Sequence, residues 1–357
     1  PTLGFNFDET FDVVAAEVKN VQQNIGLCEV NGFNRLEIIG ADRHVFLDRI
    51  ICGNVTKRDG RVGLGYLLNQ HGMIKSEATV ANLPASDRGP ARVWYGSAAA
   101  SETHDIDWLT AHIHADEDVH IKSLTNDQTT LVLAGPKARD VLSSCARGDW
   151  SQKAFPWLSV REAFVGFAPS TVLAVSFSGE LAYEIHVPNA SLYAAYLVLR
   201  EAGKAHGMQL FGARAVDAMR IEKGFLHWKA DLLTEFDPFE TGLDRFVRLE
   251  KGDFIGREAL VQRQAKGPSK RLVTLEIATT EAPAHSGASV MMDDKVVGTI
   301  TSGAWGHRVD KNLAYAFVDL VVAEPKVMLE VDMCGMLVSA TVIQASPYDL
   351  SNELMRR

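Results

Sequence analysis

Hydrophobic positions along the chain follow two periods, and each period indicates one kind of element. Near the start, apolar residues recur every three or four positions, at Phe11, Val14, Val18, Val21 and Ile25. This spacing predicts an amphipathic helix, with Asp8 and Glu9 at the positive end of its dipole. We expect Gly26 to end this helix.

A β-hairpin is predicted where a polar turn at 69–72 separates a strand at 62–68 from a returning strand at 73–80. In the returning strand, a period of two places Ile74, Ser76, Ala78 and Val80 on one face. We therefore expect Lys75 and Glu77 to share the opposite, polar face.

The remaining pattern mixes helices and strands up to 267–269 and then changes to strands and turns. Helices are predicted over 43–50, 105–112, 192–205 and 213–223, with another beginning at Pro136. Strands are predicted over 36–40, 93–95, 129–133, 171–177, 183–187, 273–277, 296–301, 313–318 and 327–333. The fold class is therefore α+β, with a separate all-β unit at the C-terminal end.

Composition narrows the function classes. A length of 357 residues suggests two or three domains, and 46% hydrophobic with 23% charged residues is typical of globular proteins. The net charge of −9, without a block of Lys or Arg, argues against nucleic-acid binding, and the longest apolar run, at 192–199, is too short to cross a membrane. Four widely spaced cysteines indicate reduced thiols in a cytoplasm-like compartment. The start at Pro1 shows no leader, and we expect a processed or internal start.

Common catalytic and cofactor motifs are missing from the sequence. His112, His114 and His120 flank an acidic stretch typical of a solvated loop, so no metal site is predicted. The glycines at 63–65 lack the spacing and strand-to-helix context of a dinucleotide fingerprint. No G-x-S-x-G, Walker A or H-E-x-x-H motif occurs, which removes the usual support for serine, phosphoryl-transfer and zinc chemistry.

Three acidic positions have an ordinary structural interpretation, and for Glu184 a ligand-binding interpretation stands beside it. Glu184 follows a glycine turn at 178–179 and would be able to accept two N–H donors from a heterocycle, or would be an ordinary hairpin glutamate. Glu222 lies beside Arg220 and would form a surface ion pair by default. Glu77 would by default be an exposed strand acid.

Six stretches in order resemble the glycine cleavage T-protein (aminomethyltransferase) family over nearly the whole chain. They are 26–30, 69–80, 133–136, 178–185, 212–224 and 253–256. Within this family, 220–228 running into 239–243 looks most like the C-terminal, folate-binding half of flavin-dependent dimethylglycine and sarcosine dehydrogenases.

The resemblance implies a three-domain cloverleaf around a central channel that holds tetrahydrofolate, with a C-terminal all-β barrel. Residues 1–50 and 146–250 would form a discontinuous folate-binding domain, 51–145 a second α/β domain and 267–357 the barrel. The expected location is the cytoplasm, or the mitochondrial matrix in a eukaryote.

The resemblance also implies roles for individual residues. Glu184 matches the acid that hydrogen-bonds the pterin ring, and Glu77 stands where the family carries its catalytic Asp. The other implied folate-binding residues are Phe177, Tyr183 and Arg220. Residues implied to line or close the channel are Lys75, His227, Trp228, Ser302, Trp305, His307 and Arg308. No metal ligand is implied.

Two positions depart from the family pattern. Glu77 replaces the usual Asp, and one extra methylene moves a carboxylate by about 1–1.5 Å. Phe177 replaces a Tyr, which keeps the stacking face and loses the hydroxyl. Tetrahydrofolate binding is therefore better supported than any particular transfer chemistry.

The expected function is capture of the iminium or formaldehyde from an N-methyl amine, such as dimethylglycine or sarcosine, as 5,10-methylenetetrahydrofolate. Because this chain has no flavin motif, FAD would reside on a partner domain or subunit, and the chain would be a fragment or a separate subunit. The alternatives are a tetrahydrofolate-dependent demethylase that forms 5-methyltetrahydrofolate, a folate-binding regulatory protein without turnover, and a glycine-cleavage T-protein itself.

Overall fold

The computed structural model describes residue 7 and residues 10–357, so the predicted acids Asp8 and Glu9 lie outside the described residues. Its α-helices are α1 Phe11–Gln23, α2 Arg43–Ile50, α3 Glu102–Ala111, α4 Ala138–Cys145, α5 Leu192–Gly203, α6 Ala213–Glu222 and α7 Arg257–Lys266. Short 3-10 helices cover Ala99–Ser101, Asn189–Ser191, Lys204–His206, Asp244–Phe246, Leu320–Val322 and Leu354–Arg356. Within 10–357, no helix is long and apolar enough to cross a membrane.

The strands fall into two open sheets and a barrel. The strands up to the middle of the chain are β1 Gly26–Val30, β2 Phe33–Ile39, β3 Val62–Leu68, β4 Ile74–Leu83, β5 Arg92–Ala98, β6 His120–Ser123, β7 Gln128–Ala134, β8 Val160–Val165 and β9 Ala168–Leu173. They are followed by β10 Ala182–Pro188, β11 Gln209–Leu210, β12 Lys270–Ile277, β13 Ser289–Met292, β14 Lys295–Gly306, β15 Lys311–Asp319, β16 Met328–Met333 and β17 Met336–Ile343.

The first sheet has the strand order β11-β1-β7-β10-β9-β8, with a parallel pairing only between β1 and β11. The second sheet is antiparallel in the order β3-β4-β5-β2-β6. The C-terminal strands close into the barrel β12-β15-β14-β13-β16-β17. The mixed α+β architecture with an all-β C-terminal barrel is therefore confirmed.

The sheets divide the chain differently from the predicted domain boundaries. Residues 33–39 pair with β5 and β6 in the second sheet, although the prediction assigned them to the first domain. Residues 128–134 pair with β1 and β10 in the first sheet, although the prediction assigned them to the second domain. Strand pairing between distant segments decides this exchange, and local periodicity carries no information about it.

Most predicted elements are confirmed; two end at different residues, and α7 and several strands were not predicted. Helix α1 ends at Gln23, and Gly26 begins β1, where a Cβ would lie 2.5 Å from the ring of Phe211. Strand β9 ends at Leu173 rather than at residue 177. Helix α7 carries one fully buried apolar residue, Leu260, so its weak apolar periodicity gave no signal.

Helices cover one face of each open sheet, and part of the other face meets the other sheet; α1 and α6 also pack on this second face of the first sheet, beside Ala182. Helices α4 and α5 cover the first sheet, whose core includes Tyr183 and Ile185, and α2 and α3 cover the second. A smaller apolar cluster joins the two sheets, with Trp94 from β5 packed near Leu173 from β9. The faces that meet around this cluster are called the inter-sheet faces below.

Candidate functional site

The inter-sheet face of the second sheet carries Lys75 and Glu77, as their period of two predicts. The alternate residues of β4 are buried on the other face, in the core under α2 and α3. Register places Thr79 opposite Gly96 and Ala81 opposite Trp94. Trp94 therefore shares the face of Glu77, and its ring lies over Gly96, where a Cβ would come within 2.4 Å of it.

Glu77 is held by one hydrogen bond to a buried tyrosine. The Tyr66 hydroxyl donates to Glu77 Oε1 at 3.0 Å, and the Tyr66 ring lies 5.2 Å from that of Phe246. Tyr66 stands directly across from Glu77 because the β3–β4 pairing shifts by one residue at Leu67 and Leu68. Without that bulge, the pairing of Leu68 with Ile74 would continue and place Tyr66 opposite Ser76.

Burial changes the pKa of the Glu77 carboxyl group. It raises the pKa of Glu77 from 4.5 to about 7, and the hydrogen bond from Tyr66 opposes part of that rise. Burial and the adjacent carboxylate raise the pKa of Tyr66 well above its ordinary value, so its hydroxyl stays a donor. A carboxyl group with a pKa near neutrality is able both to accept and to release a proton at physiological pH.

Lys75, near the start of β4, belongs to the face of Glu77 by its position in the strand, but its amine extends to α3 and not toward Glu77. Its Nζ lies 2.7 Å from His104 Nε2 and 4.3 Å from the centre of the Trp108 ring. His104 Nδ1 lies 3.4 Å from the buried carboxylate of Asp105. Burial, together with the nearby charge of Lys229, lowers the pKa of Lys75, while Asp105 opposes that change.

Glu184 lies on the inter-sheet face of the first sheet, opposite Leu173 on β9. Its side chain is 14% exposed, and its Oε2 lies 3.3 Å from Nε2 of the buried His186. The His186 ring in turn contacts Trp94 of the second sheet, with 4.6 Å between ring centroids. Glu184 and Glu77 are thus carried by the two faces that meet around Trp94.

Phe177 belongs to a pair of aromatic side chains beside the glycine turn at 178–179. Its ring stacks on Phe225 at a centroid distance of 6.0 Å and an interplanar angle of 11°. Both side chains are partly exposed, so each offers ring surface to a planar ligand. The turn itself needs Gly179, whose φ is +83°.

Tyr183 does not join this site. It alternates with Glu184 along β10, so it points to the opposite face of the sheet and is 0% exposed in the core under α4 and α5. Its ring lies 6.0 Å from that of Phe155, and Arg139 lies 5.8 Å from its centroid. The structure therefore corrects the expectation that Tyr183 contacts folate.

Arg220 is occupied by acidic neighbours rather than free to meet a ligand. Its guanidinium pairs with Asp217 and with the fully buried Asp231. Asp231 also accepts from the hydroxyls of Thr301 and Ser302 on β14, each at 2.6 Å. This network attaches α6 to the barrel, so the structure corrects the site roles expected for Arg220 and Ser302.

Arg308 makes a second buried connection between the barrel and α6. Its guanidinium pairs with Glu222 and, at 2.8 Å, with Glu180, and it donates to the carbonyl of Met219 at 2.7 Å. The Tyr348 ring covers it at 3.9 Å. Arg308 is completely buried, so its expected role in closing the channel is replaced by one in holding the barrel in place.

The other expected channel residues separate into two groups. Trp305 and His307 pack against α1, with their ring centroids 5.9 and 4.8 Å from that of Phe11. Trp228 is buried in the apolar cluster that contains Tyr66, and its Nε1 donates to Ser101 at 2.6 Å. His227 is exposed and donates its backbone N–H to Asp231. Of these residues, Trp228 is therefore the one that packs in the cluster around Tyr66, the partner of Glu77.

Two open cavities lie elsewhere on the molecule. One of about 490 Å³ is bordered by α2 and Lys251, and one of about 360 Å³ by residues 253–258. Asp253 borders both, and none of the residues predicted for the site lines either one. The predicted site therefore consists of side chains on the inter-sheet faces, and it does not coincide with either cavity.

Residues 10–357 contain no cluster of metal ligands, and burial holds two of their thiols in the protonated form. This part of the chain has no group of three or more His, Cys, Asp or Glu side chains placed to hold a metal ion. The four cysteines are free thiols, and burial raises the pKa of Cys28 to about 11 and that of Cys52 to about 12. Thiols with such values stay protonated and are poor nucleophiles.

The sequence patterns did not indicate the side chains that contact Glu77, Glu184 and Arg220. Tyr66 required the register shift to be known, whereas His186 shares a strand face with Glu184 and was available from the period of two. Asp231 lies in a loop, and its partners on α6 and β14 come from distant parts of the chain. No local pattern indicates such a contact.

Comparison with known proteins gives consistent matches. Residues 3–251 match the family model of the GCVT N-terminal domain, and 270–349 match that of the glycine cleavage T-protein C-terminal barrel domain. The chain is 33% identical over 336 residues to mitochondrial dimethylglycine dehydrogenase of Rattus norvegicus, which covers 94% of this chain and 38% of that protein. It is 25% identical to an aminomethyltransferase of Thermoanaerobacter pseudethanolicus, over 97% of this chain and 92% of that protein.

A solved structure shares the fold. The glycine cleavage system aminomethyltransferase T of Bartonella henselae matches with a TM-score of 0.84 at 21% identity, covering 94% of this chain and 90% of that chain. The chain spans 38% of the length of the dimethylglycine dehydrogenase that it matches, and thus far less than the whole of that relative.

Proposed function

The chain belongs to the glycine cleavage T-protein family, and on that premise we propose that it captures the methyl-derived iminium or formaldehyde of an N-methyl amine on tetrahydrofolate. The product would be 5,10-methylenetetrahydrofolate. The donor would be an amine like dimethylglycine or sarcosine, because relatives with those names match 94% and 99% of this chain. The observation that carries the proposal is the Glu77 carboxyl, which accepts a hydrogen bond from the buried Tyr66 at the position that the resemblance assigns to the catalytic acid, with its pKa raised to about 7 by burial.

The residues on the inter-sheet faces suit a reduced folate. The direct polar contact of Glu184 is with His186, and the Arg35 charge lies nearby, so acceptor capacity of the carboxylate is available to ring N–H donors. Phe177 and Phe225 offer aromatic faces to a planar ring. Glu184 and the phenylalanine pair would hold the pterin, and Glu77 would lie at the reacting end.

Bound tetrahydrofolate supplies the amine nitrogens that accept the one-carbon unit. Glu77 accepts the proton that such an amine loses, at its Oε2, because Oε1 is engaged by Tyr66. Tyr66 fixes the direction of the carboxylate, and the surrounding apolar side chains strengthen its attraction for developing positive charge. Exclusion of water by the same side chains would limit escape of free formaldehyde.

Oxidation of the amine would take place on a flavin-bearing partner. The flavin-dependent relatives are longer than this chain, which corresponds to 38% of dimethylglycine dehydrogenase and 32% of a sarcosine oxidase subunit alpha of Rhizobium meliloti. A partner domain or subunit would accordingly deliver the oxidised one-carbon unit to the inter-sheet site.

Calorimetric titration with tetrahydrofolate, followed by product analysis with dimethylglycine and a flavin-bearing dehydrogenase, tests the proposal. We expect binding and formation of 5,10-methylenetetrahydrofolate that depends on Glu77. Formation of 5-methyltetrahydrofolate by this chain alone would refute the proposal in favour of direct demethylation. Tight binding without turnover on any amine would identify a folate-binding regulatory protein.

A second candidate function is that of an aminomethyltransferase that works without a flavin partner. It is favoured by the aminomethyltransferase of Thermoanaerobacter pseudethanolicus, of which this chain covers 92%. Ammonia release from an aminomethylated lipoyl carrier in the presence of tetrahydrofolate would identify this activity.

A further inference from the structure

A completely buried histidine lies between the two sheets, next to Glu184. His186 is two residues after Glu184 on β10, so both side chains point to the inter-sheet face. The distance between His186 Nε2 and Glu184 Oε2 is 3.3 Å, and the His186 side chain is 0% exposed. Of the two, only the carboxylate reaches solvent.

The other ring nitrogen of His186 is surrounded by donors. Arg35, which is 1% exposed, places its Nε 3.4 Å from His186 Nδ1 and its Nη2 2.6 Å from Thr130 Oγ1. Thr130 Oγ1 accepts from Arg35, and it lies 2.9 Å from the same Nδ1. A guanidinium only donates, and the Arg35 Nε–H is directed at Nδ1, which favours Nδ1 as an acceptor with the Thr130 hydroxyl as its second donor.

The proton of the neutral imidazole therefore resides on Nε2. Burial lowers the pKa of His186 and the Arg35 charge acts in the same direction, while the adjacent Glu184 carboxylate opposes the change; the net direction favours the neutral ring. Nε2 has no aligned hydrogen-bond acceptor among the described residues, and the Glu184 carboxylate is the acidic group beside it. The terminal torsion of glutamate is broad, so rotation of that carboxylate to align with Nε2 costs little free energy.

A buried N–H without an acceptor costs free energy, so it favours the carboxylate position that satisfies it. We propose that His186, fixed by Arg35 and Thr130, positions the Glu184 carboxylate to receive the N–H donors of the pterin ring. This inference rests on the proposed function. His186 acts through Glu184 and is a positioning residue.

The binding test compares two probes. Tetrahydrofolate carries the pterin, and p-aminobenzoylglutamate has the same tail without it. Replacing His186 with phenylalanine (H186F) keeps a buried ring and removes the donor, so we expect tetrahydrofolate affinity to fall about tenfold. Affinity for p-aminobenzoylglutamate should stay within twofold of wild type.

Two further variants distinguish lost positioning of Glu184 from a general loss of structure. H186Q supplies a replacement N–H and should recover most of the affinity, with H120Q, at an exposed strand histidine, as its matched control. In an E184Q background, H186F should add less than a twofold loss, because the group that His186 positions has already been changed. Equal and independent losses from H186F and E184Q would overturn the inference, as would an unchanged affinity in H186F.

A measurement on the wild-type protein tests the tautomer directly, and H186Q serves only to assign the signal. Nitrogen-15 NMR of the histidine rings should show His186 with Nε2 protonated and Nδ1 bare, and the signal missing from H186Q identifies it among the eleven histidines. The opposite tautomer would refute the arrangement. Failure of the wild type to bind tetrahydrofolate would refute the proposed function itself. Normal binding by the wild type, with the same affinity in H186F, would refute this inference alone.

Discussion

Replacing Glu77 with glutamine gives the most direct test of the reacting carboxyl group. The substitution keeps the shape of the side chain and removes its charge. Glu77 is only partly exposed, its pKa is raised from 4.5 to about 7 by burial, and Tyr66 donates to its Oε1. Wild type and E77Q should therefore differ in the pH range where this group ionises in the folded protein.

The sign follows from the direction of the pKa shift. Because the folded state has the higher pKa, it favours the protonated group, and the stability that this gives is complete below pH 4.5. It is lost as the pH rises through 7. A rise from 4.5 to about 7 corresponds to about 3 kcal/mol, and partial exposure reduces the expected value to about 2 kcal/mol.

Urea unfolding at pH 5 and pH 9 measures this quantity as a difference between proteins. Between these values, wild type should lose about 2 kcal/mol more unfolding free energy than E77Q. E330Q, at an exposed glutamate of the barrel, is the matched control and should follow wild type. Parallel curves for wild type and E77Q would show that Glu77 ionises as an exposed acid does, and the argument for a tuned base would fail.

Three other substitutions test separate parts of the structure. Tyr66→Phe removes the hydrogen bond that lowers the pKa of Glu77, so the rising limb of the pH–rate profile of one-carbon transfer should move to higher pH; an unmoved limb would contradict this. Arg308→Met leaves two buried glutamates without their partner and should cost about 3–5 kcal/mol in urea unfolding, whereas a loss below 1 kcal/mol would show that the network is dispensable. Phe177→Ala should weaken tetrahydrofolate binding about fivefold by calorimetry through lost stacking, while unchanged affinity would exclude the Phe177–Phe225 pair from the pterin site.

Local patterns predicted the hairpin of β3 and β4 closely, because a period of two and a polar turn depend only on neighbouring residues. The same pattern placed Lys75 and Glu77 on one face, and the structure confirms this. It did not predict Tyr66 as the partner of Glu77, since a bulge at Leu67 and Leu68 sets the register.

The site residues implied by the resemblance show that motif matching does not predict which side chains are available to a ligand. Tyr183 and Glu184 are adjacent in one motif, but the pleat of β10 sends them to opposite faces. Arg220 and Arg308 carry charges that suit an anionic ligand, yet both are committed to buried carboxylates that attach α6 to the barrel. A charged side chain is available for binding only if the fold leaves it unpaired, and its position in the chain does not reveal that.

The sequence by itself determined most of the elements, the mixed architecture with a C-terminal β unit, and the family resemblance, because periodicity and motif order are properties of the chain. Only the tertiary structure decided which segments share a sheet, that Tyr66 meets Glu77, and that Arg35 and Thr130 fix His186 beside Glu184. These contacts join residues that are far apart in sequence. Their formation depends on how the two sheets pack, and their burial gives Glu77 and His186 their shifted pKa values.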